Sequence, residues 1–415
     1  MLQPQAPVLA GLGLLRFSPK VVGDTDSING EDEVMAEDLL RMADEWGPEK
    51  IVVVSDSRTG MRGVLVIDNS ARGIGKGGTR MSPTLTIEEV CRLARTMTWK
   101  WAAVDLFHGG AKAGILGDPT SPDKERILRA FARALRNEVP REYLFGLDMG
   151  LNERDAAILA DELGDLGTST GLPRALGGVP YDQLGVTGFG VAEAADAALQ
   201  RSGESLAGKR VAIQGFGAVG VAAAQRLAAL GAQIVAVATA TGTVHDRDGL
   251  DLERLLDLRA EHGDACVSAY ASGDHSRDVL DVDADVLIPA AMQDTITDAV
   301  AANTTARLIV EGANLPTSPS SRRILQERGV QVVPDFIANA GGIVAAAHST
   351  DARNSPFVVD TAAVFEMISE KLRANTVAVL DMSQRDGTLP HEAALTMAME
   401  RVREAMELRG RLPRP

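Results

Sequence analysis

Residues 51–57 (IVVVSDS) and 62–68 (RGVLVID) are short β-rich runs and read as two strands joined by a turn at Arg58-Thr59-Gly60. Thr86 and Glu89 form a capping box that opens a helix. Its apolar residues Ile87, Val90, Cys91, Ala94 and Met97 recur at helical spacing, and it ends near Trp101 to Val104. Glycine-rich stretches flank this helix, 70–80 (SARGIGKGGTR) and His108 to Gly114, and both read as loops. Helical spacing returns at 122–137 and 152–163. A loop rich in Gly, Ser, Thr and Pro follows at 167–183, and then a bridging helix at 187–202. From Gly208 the pattern alternates. Strands fit 210–214, 233–238, 284–289, 307–311 and 330–333, and helices fit 218–230, 251–261, 292–301 and 319–328. That alternation predicts a parallel sheet covered by helices. After residue 340 the chain reads as helical again, at about 357–381 and 390–408.

The formal net charge of −15 sharpens the functional side of this picture. An acidic surface repels phosphate backbones and anionic lipid, so no nucleic acid and no membrane is expected as a partner. Two cysteines, Cys91 and Cys266, make neither a disulfide framework nor a metal-ligand spacing; no metal is expected, and a cytoplasmic setting fits. Met1 to Phe17 lacks a basic leading region and reads as a flexible leader, not a signal peptide. Only eight of the 42 basic residues are lysines, and three of them, Lys76, Lys100 and Lys112, fall within one short region. Chance and surface solubility explain that cluster as well as a need for titratable amines does.

Residues 210–220 (RVAIQGFGAVG) place Gly215, Phe216, Gly217, Ala218, Val219 and Gly220 between a predicted strand and a predicted helix. A G-x-G-x-x-G in that context gives a tight turn, close approach of backbone to pyrophosphate, and a helix N-terminus for the phosphates. The alternative is a glycine-rich turn with no ligand. The following strand ends Ala238-Thr239-Ala240, where an acid would bond the adenosine ribose. Its absence removes repulsion against a 2′-phosphate, so NADP or NAD is expected, leaning to NADP or dual use, with Arg247 as the nearest arginine.

Oxidation of an amino acid at its α-carbon needs a cationic anchor for the carboxylate and acid–base groups for the amine and the attacking water. Eight ordered stretches resemble the glutamate/leucine/phenylalanine/valine dehydrogenase family: Lys76 to Arg80, Met97 to Lys100, Gly109 to Lys112, Leu147 to Glu153, Val186 to Gly190, Gly215 to Gly220, Glu311 to Asn314, and Pro334-Asp335 through Asn339 to Gly342. The resemblance implies Lys112 as the lysine that activates water and Asp148 as its acid–base partner. It also implies Lys100 on the α-carboxylate, helped by backbone near Gly77 and Gly78. Thr187 and Asn339 would orient nicotinamide or substrate, and Asn314 would touch the nicotinamide ribose. On residues alone, Asp148 reads first as a helix cap ahead of Asn152 and Glu153, and the resemblance reverses that order.

Lys76 matches the lysine that binds the side-chain carboxylate in glutamate-specific members. Their usual serine is replaced here by Ala346, and the opening hairpin and GGTRM stretch look more like the leucine-type branch. Phe107-His108 and Trp101 also depart from the family pattern. Glutamate is the expected substrate; an apolar or unusual amino acid is the alternative. A non-catalytic dinucleotide sensor or assembly protein is a further reading. A hydroxy-acid oxidoreductase ranks last, since no histidine reads as sitting in a loop with acidic support. The family resemblance implies an α/β protein of two domains with a cleft between them. Residues 1–186 would form the substrate domain with a mixed sheet, 187–346 the Rossmann domain, and 347–415 helices that brace the first. It also implies a homo-oligomer, expected to be a hexamer.

Overall fold

A computed structural model describes residues 41–179, 181–271, 273–352 and 355–412. The leader expected at residues 1–17 lies outside them. The first sheet contains β1 (Lys50–Asp56), β2 (Met61–Asn69), β3 (Gly75–Lys76), β4 (Thr79–Ser82), β5 (Gly109–Leu116) and β6 (Tyr143–Leu144). Its order is β1-β2-β5-β3-β6, with β4 also pairing β5. β1, β2 and β5 run antiparallel to their neighbours in that order, whereas β3 and β4 run parallel to β5, so the sheet is mixed.

The stretch from His108 to Gly114 read as a loop, and most of it is instead the central strand β5. Its glycines serve packing. A Cβ on Gly110 would lie 1.9 Å from the Thr98 hydroxyl, and one on Gly114 would lie 2.5 Å from Leu85. Helix α1 (Ile87–Ala103) therefore lies directly on the strand. Lys112 falls between those two glycines on the same strand face. Thr86 caps α1 by accepting from the Glu89 amide, as its capping box predicts. Helices α2 (Lys124–Ala134) and α3 (Glu153–Leu163) cover the other side. There Leu65, Ile67, Ala113, Ile115, Phe131 and Phe145 form one apolar cluster.

Helix α4 (Val186–Arg201) leads into the second sheet: β7 (Arg210–Gln214), β8 (Gln233–Thr239), β9 (Gly242–His245), β10 (Val286–Pro289), β11 (Leu308–Val310) and β12 (Gln331–Val333). The order is β12-β11-β10-β7-β8-β9. The first five pair in parallel, as the alternation predicts, and β9 turns back antiparallel to β8. β9 was not expected; unlike its short neighbours it carries a single aliphatic residue, Val244, in an otherwise polar stretch. Helices α5 (Ala218–Ala229), α6 (Leu252–His262) and α7 (Pro319–Glu327) accompany these strands. The helix expected at 292–301 is shorter and later, beginning after the Thr297 cap.

Three helices close the chain: α8 (Gly341–Ala352), α9 (Thr361–Asp386) and α10 (Pro390–Leu408). α8 was missed, because its near-uniform run of small apolar residues has no polar face to reveal a helical period. α10 returns to the first sheet. Arg401 donates to the Ala102 and Ala103 carbonyls at 2.8 and 3.0 Å, capping the exposed end of α1. One continuous core then joins α1, α4, one face of the second sheet, α9 and α10 through residues such as Trp101, Val191, Ile213, Leu372 and Val402.

Candidate active site

The first sheet supplies two strand lysines. Lys112 rises from β5, almost fully buried, and its Nζ lies 2.7 Å from Asp148 Oδ2. Asp148 is not the helix cap: Asn152 caps α3, in a capping box with Asp155. Arg80, on β4, donates its Nε to the same Asp148 oxygen at 3.0 Å and reaches Glu89 at 2.5 Å with Nη1. Burial works against a charge on Asp148. Lys112, the Met149 amide and Arg80 outweigh it and hold the carboxyl below its usual range.

Lys76 is buried on β3. Its Nζ donates to the Phe145 carbonyl at 2.8 Å and the Thr170 hydroxyl at 2.5 Å. Two glycines after it keep the backbone tight against its neighbours. A Cβ on Gly77 would fall 1.8 Å from the Ala111 carbonyl oxygen, and one on Gly78 would fall 2.7 Å from Asp148 Cβ.

Lys100, in the last turn of α1, reaches toward the second sheet, where its Nζ donates to Asn314 Oδ1 at 3.2 Å. Desolvation and the charge of Lys112 push its amine below the usual lysine range, against the pull of Asp335 and Asp148. Asn339 donates to the same Asn314 oxygen at 3.0 Å. Thr187 opens α4, and its hydroxyl oxygen would sit 3.3 Å from a Cβ on Gly342, which puts the Thr187 and Asn339 segments side by side. Lys100, Lys112, Asp148, Asn314 and Asn339 therefore form one neighbourhood. Ala346 lies on α8, half-buried.

The glycine motif occupies the carboxyl end of β7, where β8 lies on one side and β10 on the other. That strand-order reversal is where open α/β sheets hold ligands. Each glycine has its own reason. Gly215 has φ +93°, and its Cβ would strike Ala291 at 2.8 Å. Gly220 would place a Cβ 1.8 Å from the Gly215 carbonyl oxygen, so it sets the helix against the strand. At Gly217 a Cβ would meet nothing within 4 Å, so the N-terminus of α5 opens onto free space. Phe216 is buried beneath the turn, while Ala218 is exposed and Val219 half-buried on the first turn of α5. These features fit a pyrophosphate.

At the end of β8, Thr239 and Thr241 both donate to the Asp264 carbonyl at 2.7 Å. Arg247 lies elsewhere. β9 carries the chain back along β8, with Asp246 N–H donating to Val235 O, so Arg247 follows at the amino end of the sheet, near Asp283. The sequence made it the candidate partner of a 2′-phosphate, and the antiparallel turn-back removes it from that position.

Two family models match this chain: Glutamate/Leucine/Phenylalanine/Valine dehydrogenase over residues 177–410, and the Glu/Leu/Phe/Val dehydrogenase dimerisation domain over residues 48–165. The chain belongs to the Glu/Leu/Phe/Val dehydrogenase family. It is 35% identical over 352 residues to the NAD-specific glutamate dehydrogenase of Staphylococcus aureus (strain COL), covering 82% of this chain and 84% of that one. It is 35% identical over 360 residues to glutamate dehydrogenase A2 of Halobacterium salinarum, covering 83% and 85%. Among solved structures it resembles the hetero-hexameric glutamate dehydrogenase of Thermus thermophilus in its Leu-bound form. There the TM-score is 0.75 at 30% identity, over 94% of this chain and 99% of that one.

Two members of this Glu/Leu/Phe/Val dehydrogenase site escaped the sequence reading. Arg80 stood inside a quoted motif, and its place on a short strand two residues beyond Gly78 was the missed signal. Thr170 had no local signal, because its partner Lys76 is 94 residues away in the chain. His391 Nε2 lies 2.8 Å from Glu311 Oε2, but on a helix and buried. His108 packs against Trp101 with ring centroids 4.8 Å apart and the rings tilted by 54°.

Proposed function

We propose that this chain catalyses the reversible oxidative deamination of an L-amino acid to a 2-oxoacid and ammonia, with L-glutamate and 2-oxoglutarate as the pair and NAD as the dinucleotide. The observation that carries the reading is the 2.7 Å pairing of Lys112 with Asp148 beside Lys100. Lys100 binds the α-carboxylate through its ammonium. Asp148, ionised between Lys112 and Arg80, accepts a proton from the substrate amine. Lys112 holds the attacking water and moves its proton as the carbinolamine forms and collapses. NAD, when bound, accepts hydride from the α-carbon.

The Lys76 ammonium beside Thr170 supports an acidic side chain, and Thr170 supplies a hydroxyl that Ala346 cannot. The relatives named above, being glutamate dehydrogenases, support glutamate over an apolar amino acid. NAD is favoured within the expected NAD/NADP pair. The Thr239 hydroxyl is already engaged, and Arg259, near that strand end, pairs with Asp264. In this reading residues 1–186 bind substrate, 187–346 bind the dinucleotide and 347–415 brace the first part. The protein works as a cytoplasmic homohexamer. No helix among the described residues is long and apolar enough to cross a membrane.

A screen of 2-oxoacids with ammonia, NADH and NADPH tests the proposal. Ammonia-dependent NADH oxidation with 2-oxoglutarate is expected. Turnover confined to 4-methyl-2-oxopentanoate would overturn the glutamate assignment, and NADH binding without turnover on any oxoacid would favour a sensor.

A further inference from the structure

At the amino end of β12, behind the dinucleotide sheet, lies a cavity of about 490 Å³. α7, the end of α9, the start of α10 and Arg201 of α4 line it, and one side opens to solvent. Its apolar wall includes Val332, Leu380 and Leu389, and its polar wall includes Arg201, Arg322 and His391. Arg201 is occupied by Asp381, at 2.6 Å, and by Gln384. Arg322 differs. No hydrogen-bond acceptor for its guanidinium occurs among the described residues, and its Nε is sealed from solvent without a partner. His391 is 6% exposed; its Nε2 pairs with Glu311, while its Nδ1 has no partner among the described residues. Neither sealed atom can touch a ligand while the wall keeps this shape, so what the cavity offers is the rest of the Arg322 guanidinium, which has no acceptor among the described residues.

The cavity wall also touches a chain of bonds that ends in the active site. Glu311 Oε2 accepts from the Asp335 amide at 2.8 Å. Asp335 Oδ2 accepts from the Leu315 amide at 2.8 Å, holding Leu315 at φ +51°. The residue before it is Asn314, the partner of Lys100 and Asn339.

We propose that this cavity is an effector site for a small carboxylic acid with an apolar body, and that its occupation acts on Asn314 through His391, Glu311 and Asp335. The volume suits a small-molecule ligand. The apolar wall suits a hydrocarbon body, and the one unsatisfied guanidinium suits a single carboxylate. A phosphate dianion fits less well, because the buried charge of Glu311 already acts on Arg322. The effect on Asn314 rests on the dinucleotide reading above; binding in the cavity does not.

The test is calorimetric titration of the intact oligomer with hexanoate, using hexan-1-ol and hexylamine as neutral and cationic controls. Saturable hexanoate binding is expected, weakened about tenfold or more by Arg322→Gln, partly restored by Arg322→Lys, and unchanged by Lys100→Gln. NADH affinity should shift about fivefold when hexanoate saturates the wild-type protein, and not in Arg322→Gln. Three results would overturn the site: no hexanoate binding, hexan-1-ol binding as tightly, or loss in Lys100→Gln instead of Arg322→Gln. Unchanged NADH affinity with hexanoate bound would overturn the effector role. Failure of NADH to bind at all would instead count against the dinucleotide reading, while the hexanoate arm still decides the cavity.

Discussion

Asp148 and Glu311 are both carboxylates that follow a strand, carry basic partners, and are held below their usual range against the cost of burial. Asp148 lies between Lys112 and Arg80 and keeps 22% of its side chain open. Glu311 lies between His391 and the Asp335 amide, near Arg322, and is completely enclosed. The chemistry of the two pairs is alike. Access separates them: solvent reaches the first pair, whereas the second is sealed and can act only by holding backbone in place. Perturbed acidity alone would mark both as catalytic candidates.

Substitution of each pair should divide the two roles. The largest effect is expected for Lys112→Ala. Loss of its acid–base work should lower kcat by about 10³-fold, while NADH affinity, measured by fluorescence titration, stays within about twofold. Wild-type-like turnover would end the mechanism. Glu311→Gln should do the reverse and destabilise the protein by about 3 kcal/mol in chemical denaturation, because it leaves buried His391 short of its charged partner. Retained stability would show that Glu311 is as dispensable as a surface carboxylate.

The smallest effect is a difference in acid sensitivity. The carboxyl of Glu311 has a lower pKa folded than its unfolded value near 4.5, so its contribution is complete above that pH. It is lost as pH falls through the folded value. Wild-type stability should therefore decline below about pH 4.5, and the Glu311→Gln protein should show a shallower decline over the same window. Parallel slopes would assign the acid sensitivity to other carboxylates, such as Glu193.

Much of the second sheet was legible because its strands are short, apolar and separated by helices of ordinary length. The glycine turn was legible because its flanking pattern names its position. The first sheet was harder. Gly109 to Gly114 looks like a turn in sequence, yet the glycines there exist so that Thr98 and Leu85 can press on a strand. That requirement belongs to the partner helix and leaves no trace in the strand's own period. The lysines were legible through family motifs, whereas Arg80 and Thr170 are joined to them only by folding. His391 was invisible for the same reason, lying 80 residues from Glu311 along the chain.

The bond from Lys100 to Asn314 changes what an incoming acid encounters. The ammonium does not wait in bulk water with a full hydration shell. It rests on an amide oxygen in a site already partly dried. A carboxylate bound by Lys100, as proposed above, would trade places with that amide, so most of the dehydration of the cation would precede its entry. The displaced Asn314 keeps its bond to Asn339. In that reading the same exchange would loosen the link between α1 and the loop after β11 as the anchor fills.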